Sequence, residues 1–146
     1  MSVTQAEKGR LQKKVARYVW QLRTEMWLGV WDIDILVTEY PGESESNLAS
    51  ISPTNVQHRA DLEISTGVAE SGGEKLRRTV VHELLHLFTR DTNDVIRLGL
   101  PKELSVSAYN ILWESYRQAH ELCIDDMARA WAEFLPLPDW PKDSDE

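Results

Sequence analysis

Five residues, His82-Glu83-Leu84-Leu85-His86, constrain this chain more than any other feature. They form an HExxH pattern inside an apolar run that begins at Val80-Val81 and ends at Leu87-Phe88. On a helix, residues four apart share a face, so both imidazoles reach a single metal ion. Glu83 then sits about 100° round the helix from His82, where it can polarise a metal-bound water. Zinc lowers the pKa of such a water from about 16 to about 7, within reach of a nearby carboxylate base. Chance explains the pattern poorly. The chain has only 4 histidines, half of them in the motif, and polar residues appear only at the edges of the run, as Thr79 and Arg90.

The residues around the motif set the fold class. Residues 4–27 read as an amphipathic helix, with Leu11, Val15, Tyr18, Leu22 and Met26 at helical spacing and Trp20 and Trp27 expected to pack as well. From Trp31 to Tyr40 the chain alternates: Trp31, Ile33, Ile35 and Val37 share one face and Asp32, Asp34 and Thr38 the other, with Leu36 as the exception. That is a half-buried strand with a solvated acidic face. Residues 48–51 suggest a short strand ended by Pro53. Ala60, Leu62 and Ile64 alternate with Asp61, Glu63 and Ser65 in a further strand. Residues 67–73 read as a loop, the motif helix runs from about Glu74 to Arg90, and residues 91–101 connect to a long helix over about 102–134, with a break near Ser107. The expected architecture is α+β: helices packed on a small, mostly antiparallel or mixed sheet. Residues 1–135 form the expected domain, and residues 136–146 an irregular, Pro-containing acidic tail.

Bulk properties narrow the function. A chain of 146 residues is long enough for one real core. The net charge of −8 does not suggest a nucleic-acid-binding surface. The single cysteine, Cys123, excludes an internal disulfide and a Cys-rich zinc ribbon, and a reducing, cytoplasmic setting is expected. Among Ile124 and Met127, Cys123 reads as a core residue. No apolar run approaches the ~20 residues of a membrane-spanning helix. The first residues lack the apolar stretch of a signal peptide, and none is expected there.

Two histidines do not complete a catalytic zinc site, which normally has three protein ligands and one open position. Positions 89 and 92 are both threonine, so the HExxHxxGxxH arrangement fails. The other solution takes a glutamate from a second helix. Glu121 and Asp125 lie four apart on the long helix, with 34 residues between His86 and Glu121, enough for a turn and an antiparallel return. Glu121 could bind the metal while Asp125 accepts the free ring N–H of His82. Other acids compete for the third position: Glu114 one helical segment earlier, and Asp91 and Asp94 if the chain turns back sharply. His120 points about 100° away from Glu121 and could be a ligand, but reads better as a transition-state donor or a surface residue.

With HExxH on one helix and Glu121-x-x-x-Asp125 on the next, the chain resembles the gluzincins. Its size resembles the minigluzincins, and its layout resembles metallopeptidases found in phage and prophage genomes. The resemblance covers roughly residues 5–135. It implies a zincin-like fold with an N-terminal helix, a small mixed sheet with an edge strand, the HExxH helix and a C-terminal helix bearing the glutamate. It implies His82, His86 and Glu121 as zinc ligands and Glu83 as the general base. It also implies that the strand at Ala60–Ser65 is the edge strand that holds an extended peptide by strand addition. The chain departs from the larger gluzincins in lacking a second domain. That leaves Tyr109, Tyr116 and His120 as candidates for the transition-state donor.

The function expected from this reading is zinc-dependent hydrolysis of a peptide or protein substrate. One alternative is a zinc-stabilised regulatory or binding module without proteolysis, although such a module needs no base at Glu83. Another is an anti-repressor-type protease, which shares HExxH and a downstream glutamate. Neither a membrane nor a nucleic-acid partner is expected.

Overall fold

The computed structural model describes residues 4–54 and 57–141. Helix α1 (Gln5–Glu25) opens with a capping box: the Thr4 hydroxyl accepts from the Glu7 N–H and the Glu7 carboxylate accepts from the Thr4 N–H. Its inner face, Val15, Tyr18, Val19 and Leu22, is buried. The helix lies on strand β1 (Asp32–Thr38), which alternates as its residues do, with Ile33 inward and Asp34 outward in an ion pair with Arg59 at 3.0 Å. Strands β2 (Ala49–Pro53) and β3 (Arg59–Ser65) complete a three-stranded sheet of order β1-β3-β2. β1 and β3 run parallel, and β2 and β3 antiparallel. The sheet is therefore mixed, and the architecture is α+β.

Ala60, Leu62 and Ile64 of β3 are fully buried, as a central strand demands. This corrects one expectation: the strand at Ala60–Ser65 is not an edge. The edges are β1 and β2, and β2 is the one beside the motif helix. Its traits are those of an edge strand: five residues, two serines and a proline. The expected loop at 67–73 contains a short helix, α2 (Thr66–Ser71), capped by the Ser65 hydroxyl. Ser65 at its N-cap was the legible signal.

Helix α3 (Gly73–Phe88) carries the motif. Leu76, Val80, Val81, Leu84, Leu85 and Leu87 fill the core, while His82, Glu83 and His86 are half-buried on the side facing β2 and the last long helix. The helix is thus not buried all round. A short helix α4 (Arg90–Asp94) and further helical turns lead to α5 (Val106–Trp131), whose N-cap Ser105 accepts from the Ala108 N–H. α5 has no break at Ser107 and packs along α3 through Ile124 and Ala128. Cys123 is exposed, because the neighbouring Ile124 takes the inward position. Trp20 and Trp27 do not pack as expected: they are 50% and 91% exposed.

The segment after α5 has no helix or strand at 135–140, yet it is tied to the domain. Trp140 is buried edge-on against Tyr18, and its indole N–H donates to Ala69 O at 2.8 Å. The Trp140 carbonyl accepts from the Gly73 N–H at 2.8 Å, at the very start of α3. Gly72 makes this approach possible. Its φ is +56°, and a Cβ there would lie 2.2 Å from Trp140 O. Residues 142–146 of the expected acidic tail lie outside the described residues. Among the described residues, no helix is long and apolar enough to cross a membrane.

Candidate metal centre

α3 presents His82 and His86 one turn apart, and α5 presents Glu121 opposite them. The His82 and His86 Nε2 atoms are 3.3 Å apart; His82 Nε2 is 3.3 Å from Glu121 Oε2, and His86 Nε2 is 3.3 Å from Glu121 Oε1. These groups could hold a metal ion. One turn further along α5, Asp125 Oδ1 lies 2.8 Å from His82 Nδ1. A proton on Nδ1 is donated to Asp125, so the Nε2 lone pair points at the centre. The His82 Nε2 lone pair, the His86 Nε2 and the Glu121 carboxylate then lie within reach of one point. Two imidazoles and one carboxylate form a donor set whose chemistry fits a metal ion.

The other acids fall elsewhere. Glu114 is exposed and paired with Arg117 at 3.0 Å. Asp94 is paired with Arg97 at 3.0 Å and with Arg90 at 3.5 Å, and Asp91 is exposed. Of the three proposed donors, His120 lies nearest: its ring centroid is 5.4 Å from that of His86, and its Nε2 is 2.9 Å from the Thr89 hydroxyl. Tyr116 stacks on His120 and donates to the Asn93 side chain. Tyr109 donates to the Arg97 carbonyl at 3.3 Å, one residue type in a ladder that continues through Trp113 to Tyr116.

Glu83 faces β2. Burial pushes its carboxyl up to about 7, with Glu121 adding to the rise, while His82 and a backbone hydrogen bond from Ile51 oppose it. Burial pulls His86 down to about 4, against the attraction of Glu121, so its imidazole is neutral at pH 7, as a ligand must be.

The Ile51 contact follows from strand parity. Leu48 O accepts from the Ser65 N–H, and the Thr54 N–H donates to Arg59 O. In the antiparallel register, residues 48, 50, 52 and 54 therefore bond β3, and Ala49, Ile51 and Pro53 turn their main-chain groups to the free edge. That edge borders a groove in two halves, both touching Ala49, His82 and Glu83. One half, of about 580 Å³, is lined by Leu48, Lys75 and Arg78. The other, of about 640 Å³, is lined by Ile51, Pro53, His86 and Glu121. Sequence reasoning did not find this role for β2, which it read only as a short strand ended by Pro53.

Comparison with family models, with curated proteins and with solved structures gives no match.

Proposed function

We propose that this chain is a zinc-dependent peptidase of gluzincin type, with a zincin-like domain built around α3, α5 and β2. The donor triangle carries the reading. Zinc bonds nitrogen and carboxylate oxygen at about 2.0–2.2 Å, which spaces the corners of a tetrahedron about 3.3–3.6 Å apart. The 3.3 Å between the two Nε2 atoms, and from each to its own oxygen of the Glu121 carboxylate, match that spacing for one oxygen at a time. Two nitrogens and one carboxylate leave the fourth position open, as in catalytic sites.

Bound there, zinc would supply Lewis acidity and a more acidic water. Glu83 would take the proton of the attacking water and return it to the leaving amine. Its raised proton affinity in this half-buried setting suits a group that both accepts and donates near neutral pH. Asp125 would hold the His82 ring in its tautomer. The free edge of β2 would align the substrate main chain through Ala49, above the base.

Three substitutions test these roles. Glu83→Gln should retain zinc and lose peptidase activity by roughly 10²–10⁴-fold, the usual contribution of a positioned acid–base group. Glu121→Gln should weaken zinc itself. Asp125→Asn should weaken it less, by roughly 10–100-fold. Equal cleavage of a peptide library by wild type and Glu83→Gln would leave only a zinc-stabilised scaffold.

A further inference from the structure

We infer that the groove takes an acidic peptide. The peptidase reading supplies the nature of the site, and the distribution of charge supplies the class of ligand. In the half beside Leu48 the cations are Lys75 and Arg78, both exposed and free of ion pairs among the described residues. The nearby Glu74 is paired with Arg77 instead, at 3.9 Å. In the half beside Pro53 the cations are Arg90, Arg97 and Arg117. Arg90 and Arg97 share the single carboxylate of Asp94, and Arg117 is paired with Glu114.

The acids of the groove divide differently. Glu83, Glu121 and Asp125 belong to the donor cluster and its base. Setting those aside, Glu74 and Asp94 in the lining and Glu114 beside Arg117 stand against five cations, an excess of two that rests on the unpaired Lys75 and Arg78. The groove is therefore basic on a chain whose net charge is −8. Exposed acids elsewhere would repel an anionic ligand from the rest of the surface, and the concave basic lining would draw it in. Guanidinium forks are suited to carboxylates. A polyanion such as single-stranded RNA would meet the same charges. The peptide is favoured by the open edge of β2, where the outward N–H and C=O of Ala49 match a peptide main chain.

The test uses zinc-loaded Glu83→Gln protein, which holds substrate without cutting it. Fluorescence anisotropy would measure binding of decapeptides with an apolar centre flanked on both sides by Glu, Gln or Lys. The Glu peptide should bind about tenfold more tightly than the Lys peptide at low salt, and the gap should narrow as salt rises. The double variants Arg97→Glu/Arg117→Glu and Lys75→Glu/Arg78→Glu should each erase or reverse the preference, with zinc content and circular dichroism unchanged. Equal binding of the Glu and Lys peptides, or a preference that neither reversal moves, overturns the inference. So does tighter binding of a single-stranded RNA oligonucleotide of the same length. Cleavage by wild type is scored separately. Cleavage indifferent to charge sinks this inference and spares the peptidase reading, whereas charge-dependent binding without cleavage does the opposite.

Discussion

The two edges of the small sheet are treated in opposite ways. At β1, Gln12 of α1 reaches across the free edge: its amide N–H₂ donates to Ile35 O, and its carbonyl accepts from the Val37 N–H at 2.7 Å. One side chain thus supplies both a donor and an acceptor where a further strand would have done so. At β2, among the described residues, the Glu83 carboxylate accepts from the Ile51 N–H alone, and the outward groups of Ala49 border the groove. An unpaired edge invites association with other chains, and proteins commonly cover it. Here the edge away from the donor triangle is closed and the edge beside it is open. That contrast leaves β2, beside the donor cluster, as the edge with main-chain groups facing the groove.

The comparison is sharpest where the largest effect is expected. His82→Ala, below the open edge, should lower zinc affinity by several orders of magnitude, because two remaining ligands rarely hold zinc in water. Gln12→Ala, at the closed edge, should leave zinc affinity unchanged in the same metal-competition assay. Zinc loss in the Gln12 variant would show that the two edges are not independent.

Next in size is a backbone substitution. Ala49→Pro removes an outward N–H without touching the bonds from β2 to β3. The KM for a peptide substrate should rise by about tenfold, the scale of one or two lost hydrogen bonds, with the melting temperature little changed. Gln12→Ala should do the reverse: stability falls by about 1–2 kcal/mol as two main-chain groups lose their partner, and KM stays put. If both variants lower stability alone, β2 is no more than a second structural edge.

The smallest expected effect concerns pH in the metal-free protein. Glu83 is raised to about 7 from an ordinary 4.5. Its contribution to stability is therefore complete below about pH 4.5 and lost as pH rises to about 7. His86 is lowered to about 4 from 6.5, so its contribution is complete above about pH 6.5 and lost as pH falls to about 4. The two slopes oppose each other over nearly the same window, and stability should be nearly flat there. Glu83→Gln should unmask the His86 slope, with urea midpoints rising from pH 4 to 6.5. His86→Gln should unmask the Glu83 slope, with midpoints falling from pH 4.5 to 7. Parallel pH profiles in the two variants would contradict the assigned origins.

The candidate site was more legible in the sequence than the sheet that borders it, for a physical reason. His82 with His86, and Glu121 with Asp125, are pairs four apart within single helices, and helical geometry alone puts each pair on one face. That the two helices would meet with Glu121 opposite the histidines needed only a long antiparallel return. Strand order has no such local code. β3 alternates as cleanly as an edge strand with one solvated face, and only its pairing with both β1 and β2 makes it central. Trp27 misled for a related reason. It continues the apolar character of α1 but sits past the helix end with φ +60°, where the backbone has already turned away. Cys123 was assigned to the core by its neighbours, although the helix rotates about 100° between it and Ile124.

The contact between Trp140 and the start of α3 also has a consequence in time. α3 begins without a side-chain cap, and its first N–H is satisfied by a carbonyl far along the chain. The indole clamps the same corner across 71 positions of sequence. A chain emerging from the ribosome N-terminus first makes His82, Glu83 and His86 long before it makes this anchor. Until residue 140 is free to dock, the motif helix lacks its fastening at Gly72 and Gly73. Synthesis thus delivers His82, Glu83 and His86 early and the contact that fixes the start of their helix only after a further stretch of chain.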